Sequence, residues 1–448
     1  MQNNQIALSN NHYPHIIKYN DFCDLRGAFM RYFRVCGPNK INGCLKVQGA
    51  KNSALPILAA TLLIKDKSII HNCPGLSDVD AALKILIMLG CVCVRDDNTV
   101  IVDATDAANC EVSRTLMQEM RSSIVFLGAV VSRMGKAVIS SPGGCELGPR
   151  PIDMHLSALK KLGVNVKEED GMLICTAPDG IKGAEIFLRF PSVGATENII
   201  ITSAISKGTT VIHGAAKEPE ISDLADFLNG AGAKIKGAGS DTIVIEGVGK
   251  LHSCEHRVIC DRIVAATYLS AAAVTGGQIE LTNCPAYNMV SVLHFFEKIG
   301  CKIKACKDRV SLKCVFPLKC SGNTVTTVYP GFPTDAGPLI VPVFTVLPGK
   351  NSLSETIFEN RFRYVPELNK FGSCIKMNGQ TAYSLGKKEL ISSDVSCTDL
   401  RGGAALVIAA LSAEGVTNIG EVQHIERGYY RLPENLRTVG ADIKEIEI

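Results

Sequence analysis

The sequence has no excess of charge of one sign. Its 47 lysines and arginines stand against 44 aspartates and glutamates, a formal net charge of +3. No broad field is therefore available to recruit nucleic acid or an anionic membrane, and any anionic ligand must be gripped locally. Long apolar runs are also missing. A membrane span needs about 18–20 apolar residues in a row, and "ALPILAATLLI" and "AALVIAALSA" reach about half of that. The opening "MQNNQIALSNNHYPHIIKYND" has neither the basic start nor the apolar run of a signal peptide. The nine histidines form no HxH, HExxH or Cys-His spacing, so no metal site and no cofactor is expected.

What is abundant is cysteine. Eighteen in a chain without a secretory signal read as reduced thiols of a cytoplasmic protein rather than a disulfide framework. Cys91 and Cys93 of "CVC" fall on one face of a predicted strand and read as packing residues. The 448 residues, 46% hydrophobic and 20% charged, are too many for one ordinary core and predict two globular domains of roughly 200 residues each. Residues 1–29 do not read as the start of a domain and stay unassigned as a leader. Met30 opens a strand–turn–strand pattern, "MRYFRVCGPNKINGCLKV".

The chain repeats itself. In "LKILIMLGCVCV", "LKKLGVNVK", "LNGAGAKIK", "FEKIGCKIK", "LNKFGSCIKM" and "LRTVGADIKEI" a helical pattern ends at a glycine and an alternating strand follows. Those glycines are Gly90, Gly163, Gly232, Gly300, Gly372 and Gly440, spaced roughly 70 residues apart. A glycine there suits the left-handed residue that closes a helix. Between them lie six stretches that are apolar on nearly every face: "AKNSALPILAATLL", "RSSIVFLGAVVSRM", "GATENIIITSAIS", "DRIVAATYLSAAAV", "TDAGPLIVPVFTVL" and "DLRGGAALVIAALSA". Helices of that kind are interior ones. The chain thus reads as six α/β units, three to each domain.

The starts of the buried helices carry charge. Lys51 and Asn52 open the first, Arg121 the second, Asp261 and Arg262 the fourth, Thr334 and Asp335 the fifth, Asp399 and Arg401 the sixth. A helix N-terminus is already a partial positive charge and a ready anion site. Cations placed there oppose the dipole unless an anion is near, so the set points to a shared anion-binding cleft. Asp261, Asp335 and Asp399 also have a plainer reading as N-caps. One further stretch, "SSPGGCELGPRPID", sets Cys145 behind a glycine pair and follows it with Arg150 and Asp153. A buried structural cysteine needs none of that company.

Taken in order, "VQGAKNSALPILAATLL", "MRSSIVFLGAVVSR", "SPGGCELGPRPIDMHL", "PSVGATENI", "GFPTDAGP", "ETIFENRF", "TDLRGGAALVIAAL" and "HIERGYYRL" resemble the enolpyruvyl transferase family. The likeness runs from about Met30 to the C-terminus, and it is nearest to the branch acting on UDP-N-acetylglucosamine at the first committed step of peptidoglycan synthesis. It implies two inside-out α/β barrel domains of three units each, the EPSP synthase-like fold. It places residues 51–259 in one domain and 30–50 plus 260–448 in the other. The reaction implied moves the enolpyruvyl group of phosphoenolpyruvate to the sugar 3-hydroxyl and releases phosphate. The implied partners are those two small molecules, with no nucleic acid, membrane insertion or obligate protein partner.

By the same resemblance Lys51, Arg150 and Arg427 hold the phosphate side of phosphoenolpyruvate. Arg361 and Arg401 lie by its carboxylate and the developing charge, and Arg121 lies nearer the nucleotide diphosphate. Arginine forks suit both anionic groups. Cys145, Asp335, Lys51 and Arg401 form the catalytic set, Cys145 as proton donor and covalent trap, Asp335 as the carboxylate that meets the sugar hydroxyl. Sugar-nucleotide contacts fall to Asn52, Arg121, the run Arg150, Pro151, Ile152, Asp153 and Met154, then Ser192, Val193, Gly194, Asp335 and Ile357. Glu218 and Glu220 of "KEPEI" read as shaping the cleft. Val264 and Ala266 stand where the family commonly has glutamate and glycine, and Val125 where some relatives have tryptophan; none of these is a reacting group. The sister reaction on shikimate 3-phosphate lacks the glycine-flanked cysteine loop, and a non-catalytic sugar-nucleotide sensor would not keep every reacting position filled.

A free cysteine titrates near ~8.5, and nearby arginines lower that value and make the thiolate reactive. Cys145→Ala is therefore expected to lose turnover. Cys145→Asp keeps a proton donor and should retain turnover while resisting an epoxide phosphonate such as fosfomycin. Full-rate phosphate release by Cys145→Ala would refute the acid role.

Overall fold

The computed structural model describes residues 15–17, 31–140 and 151–447. Its strands form six small sheets, one of five strands, four of four and one of three. Three of them are built from residues between 67 and 257, the first also receiving His15–Ile17, and three from residues between 31 and 46 and between 278 and 447. The hydrophobic interior divides in the same way. One core runs from Ala50 to Val258, the other collects Phe33 to Val47 with Cys260 to Ile443. The divided connectivity follows from two parallel pairings. Asn42–Lys46 lies beside Gln278–Thr282, and Cys254–Arg257 lies beside Lys67–His71.

The predicted repeat is present. All six helix-closing glycines have positive φ, between +80° at Gly372 and +100° at Gly440, a region that L side chains enter only under strain. Five of the six apolar stretches form helices: Lys51–Thr61, Val125–Met134, Val193–Ser203, Arg262–Val274 and Leu400–Ser412. Every residue of Arg262–Val274 is buried, as all-round apolarity requires. The fifth stretch departs from expectation. It is a 3₁₀ turn at Thr334–Ala336, a single helical turn Gly337–Ile340 and another 3₁₀ segment Pro342–Val346. Pro342 has no N–H to continue the ladder and its ring meets the preceding turn.

The strand–turn–strand pattern after Met30 gives two strands, but they do not pair with each other. Arg31–Gly37 enters the sheet with Gly415–Gly420 and Ile443–Glu447, while Asn42–Lys46 enters a different sheet. The leader also contributes structure. His15–Ile17 pairs antiparallel with the Val92–Asp96 strand, Ile17 opposite Cys93. Cys91 and Cys93 are buried as packing residues. No helix among the described residues is long and apolar enough to cross a membrane.

The buried helices approach closely where side chains are small. Gly128 lies against the Val193–Ser203 helix, and a Cβ built on it would stand 2.1 Å from Asn198 Oδ1 and 2.3 Å from Thr202 Oγ1. Asn198 in turn joins the two helices, accepting from the Gly128 N–H at 2.9 Å and donating to the Ile124 carbonyl at 3.0 Å. Gly128→Ala gains about 1 kcal/mol of helix propensity but overpacks this contact at a cost of about 1–3 kcal/mol and disturbs a buried hydrogen-bond pair. A net loss of about 2 kcal/mol of unfolding free energy is expected, read as a lowered urea midpoint; an unchanged or raised midpoint would show that the two helices can separate freely.

Candidate active site

Two of the three aspartates at buried helix starts are caps and one is not. The Asp261 carboxylate accepts from the N–H groups of Ile263 and Val264 at 2.9 and 3.0 Å. Asp399 accepts from Arg401 and Gly402 at 3.0 and 2.9 Å. Asp335 lies inside its 3₁₀ turn, where its carboxylate caps nothing and turns instead to two arginines. One oxygen meets Arg361 Nη2 in a very short contact, and the other lies 3.4 Å from Arg401 Nη2.

Those arginines are deeply set. Arg361 is 1% exposed, its Nε donating to the Thr334 carbonyl at 3.1 Å and its guanidinium 5.6 Å from the Phe358 ring centre. Arg401 packs 5.4 Å from the Tyr429 ring centre. Tyr429 is itself held by Thr267, 2.8 Å between hydroxyls. Nε and Nη1 of Arg401 are buried without a well-directed acceptor among the described residues. Buried donors are nearly always satisfied, so such a pair in a cationic group marks a place for an absent acceptor. Asp335 keeps 29% of its side chain exposed. Burial by itself would raise its pKa, but Arg361 and Arg401, with Lys51 further off, outweigh it and hold the carboxyl far below the usual carboxylate range.

A second ion cluster adjoins the first. Lys51, the first residue of its helix, places Nζ 3.0 Å from Asp78 Oδ2, while Arg427 Nε donates to Asp78 Oδ1 at 2.9 Å. Asp78 is buried, which opposes ionisation, yet the two cations keep its pKa below the ordinary value. The backbone N–H of Lys51 also meets Asp261 Oδ2 at 3.3 Å. Residues 51, 78, 261, 335, 361, 401 and 427 thus converge from both cores. Four cations surround three carboxylates, and the charge left over is positive.

The remaining predicted residues are spread around this centre. Asn52 is exposed beside Lys51. Ile357 has its N–H fixed by Glu355 Oε1 at 2.7 Å, and the other Glu355 oxygen accepts from Thr334 Oγ1 at 2.8 Å. Ser192 caps the Val193–Ser203 helix through the Ala195 N–H at 3.4 Å, with Val193 and Gly194 half-buried in its first turn. Pro151 is exposed, and Ile152 and Met154 are half-buried where the Asp153–Lys161 helix begins. The Asp153 carboxylate makes a very short contact with Arg189. Arg121 opens a 3₁₀ turn ending at Ile124. Cys145 and Arg150 lie outside the described residues.

Sequence reasoning missed Asp78, which binds two of the predicted cations at once. Its only local signal was an acidic residue in the first turn of an amphipathic helix, where the dipole already explains it. Arg262 was also underused. It forms a buried ion pair with Glu220 at 3.0 and 3.3 Å and lies over Tyr329, its guanidinium 5.4 Å from the ring centre. Because Glu220 belongs to one core and Arg262 to the other, the pair ties the two halves together beside the site. Glu218 and Glu197 stand near it, both with pKa values raised by burial and by neighbouring carboxylates.

Under the Ser192–Gly194 turn lies His155. A Cβ on Gly194 would come within 3.2 Å of its ring, and its Nδ1 accepts from Asn198 Nδ2 at 3.1 Å. Burial pushes the His155 pKa down to about 4, slightly countered by Asp153. An unfolded histidine titrates near ~6.5, so between those values the unfolded chain carries a proton that the folded chain refuses. Stability should therefore fall as pH drops from about 6.5 towards 4, by up to about 3 kcal/mol. His155→Gln should flatten that part of the curve of unfolding free energy against pH. A wild-type curve already flat there would show the ring to be protonated or solvated.

Comparison with known proteins adds to this geometry. A profile of the EPSP synthase (3-phosphoshikimate 1-carboxyvinyltransferase) family matches residues 35–436. UDP-N-acetylglucosamine 1-carboxyvinyltransferase 2 of Caldanaerobacter subterraneus is 47% identical over 417 residues, 93% of this chain and 100% of its own length. UDP-N-acetylglucosamine 1-carboxyvinyltransferase 1 of Staphylococcus aureus is 41% identical over 413 residues, 92% of this chain and 98% of its own. The fold resembles the crystal structure of the enolpyruvyl transferase NikO from Streptomyces tendae, with a TM-score of 0.84 at 24% identity, covering 94% of this chain and 100% of that one.

Proposed function

The chain belongs to the EPSP synthase family, and from that premise we propose that it transfers the enolpyruvyl group of phosphoenolpyruvate to the 3-hydroxyl of UDP-N-acetylglucosamine, releasing phosphate. The product enters peptidoglycan synthesis at its first committed step. The observation that carries the reading is the cationic surplus around Asp335, with two buried Arg401 donors lacking a well-directed acceptor among the described residues. A small dianion with a phosphate and a carboxylate supplies the missing acceptors.

In this reading Lys51 and Arg427 take the phosphate, with Arg150 joining them, and Arg361 and Arg401 take the carboxylate. A carboxylate clamped by two arginines is a feeble base, because its pKa is so far below the working pH. The substrate changes that. Its anionic groups compete for the arginine forks, and Asp335, released from them, regains basicity and accepts the proton of the sugar hydroxyl. Cys145 delivers a proton to the methylene carbon as C2 becomes electrophilic, the sugar oxygen adds to C2, and loss of phosphate with a methylene proton restores the enol ether. Asn52, Arg121, Ser192 to Gly194, Pro151 to Met154 and Ile357 hold the sugar nucleotide. Residues 51–259 and 30–50 plus 260–448 act as two domains that close over the substrates, with the Arg262–Glu220 pair as one of their ties. The setting is the cytoplasm, consistent with the described cysteines all being unpaired, and no protein partner is required for the chemistry.

The purified protein should release phosphate from phosphoenolpyruvate when UDP-N-acetylglucosamine is added and stay silent with shikimate 3-phosphate. Release with shikimate 3-phosphate alone would overturn the assignment of the acceptor.

A further inference from the structure

Away from the site, two cysteines face each other across a hairpin. The Lys302–Ala305 and Arg309–Lys313 strands pair antiparallel, with Lys302 opposite Lys313 and Ala305 opposite Val310. Carried one residue further, that register sets Cys301 opposite Cys314. The second strand also pairs on its other side, Gln278 opposite Lys313, and the Cys314 N–H continues that ladder by donating to the Gly277 carbonyl at 2.9 Å. In an antiparallel ladder the N–H and C=O of one residue point to the same side, so those of Cys314 point away from Cys301. The Cys301 N–H is likewise engaged elsewhere, donating to the Phe296 carbonyl at 3.0 Å.

Cys301 and Cys314 are therefore a non-hydrogen-bonded pair, the kind in which facing Cα atoms are about 4.5 Å apart and side chains closest. A disulfide spans Cα separations of about 4.4–6.8 Å. Both side chains point to one face and pack in the second core, 5% and 6% exposed. Each thiol is the leading influence on the other's ionisation. No other cysteine pair among the described residues has this arrangement in strand register. Cys91 and Cys93 follow one another along a single chain segment, and the buried Cys260 and Cys284 thiols also lie against each other but in no shared strand ladder, Cys284 further meeting Met289 Sδ at 3.7 Å.

We propose that Cys301 and Cys314 form a redox-active dithiol that closes to a cross-strand disulfide when the chain meets a peroxide. The Cys314 thiolate attacks one peroxide oxygen, breaking the O–O bond and leaving a sulfenic acid and hydroxide. The Cys301 sulfur then attacks the Cys314 sulfur, displacing the sulfenic oxygen as water. The two thiols are oxidised by two electrons and one hydrogen peroxide is reduced to two waters. In a reducing compartment the bond is transient, as expected of a sensor rather than a structural bridge.

The test uses the reduced full-length protein, treated with hydrogen peroxide until half of the exposed Cys374 is modified, then alkylated under denaturing conditions and digested. Cys301 and Cys314 should be recovered in joined peptides lacking two hydrogens, should take the alkylating label only after reduction, and should raise the thermal unfolding midpoint of the oxidised protein. Cys301→Ser should lose both the joined peptides and the rise. Recovery of Cys301 and Cys314 as alkylated thiols at that dose would overturn the proposal. So would linkage of Cys314 to any other cysteine, or a midpoint rise that persists in Cys301→Ser.

Discussion

The carboxylate of Asp335 between Arg361 and Arg401 is the contact on which the rest of the site depends. It sits between two buried guanidinium groups and answers only part of their charge. The arginines are buried, so their attraction for Asp335 is strong and their desolvation is only partly offset. The site is thus poised for an anion. In the proposed reaction the substrate's phosphate and carboxylate compete for those arginines, and Asp335 changes from counter-ion to proton acceptor.

That arrangement needs two separate halves. Lys51 and Asp78 come from one core, Arg361, Arg401 and Arg427 from the other, and the Asp78 carboxylate joins Lys51 to Arg427 across the divide. The Arg262–Glu220 pair does the same at lower exposure. The Lys51–Thr61, Arg262–Val274 and Leu400–Ser412 helices bring their starts to this cluster; apolar on every side, they have only their ends to offer a ligand.

Much of this was legible in the residues. All-round apolarity marked five of the interior helices correctly, because burial on every side leaves no other pattern. The glycines at 90, 163, 232, 300, 372 and 440 were legible for a stereochemical reason, each taking a positive φ that closes a helix. The fifth stretch misled, since apolarity predicts burial but not helicity, and Pro342 breaks the ladder locally. At the helix starts, sequence could not separate a capping aspartate from one that turns to neighbouring arginines. Asp261, Asp335 and Asp399 look alike in the chain, and only the direction of each carboxylate distinguishes them.

By itself the sequence determined the repeat and five of the buried helices, because periodicity and apolarity are local properties, and its motifs nominated Cys145, Asp335, Lys51 and Arg401 as a catalytic set. Tertiary structure alone decided which charges share a partner. Asp78 reached Lys51 and Arg427 from 27 and 349 positions away along the chain, and no local pattern encodes a contact whose geometry is set by the packing of two separate cores. The facing of Cys301 and Cys314 was likewise decided by register, since which side of a strand bonds to which neighbour is known only when the sheet is complete.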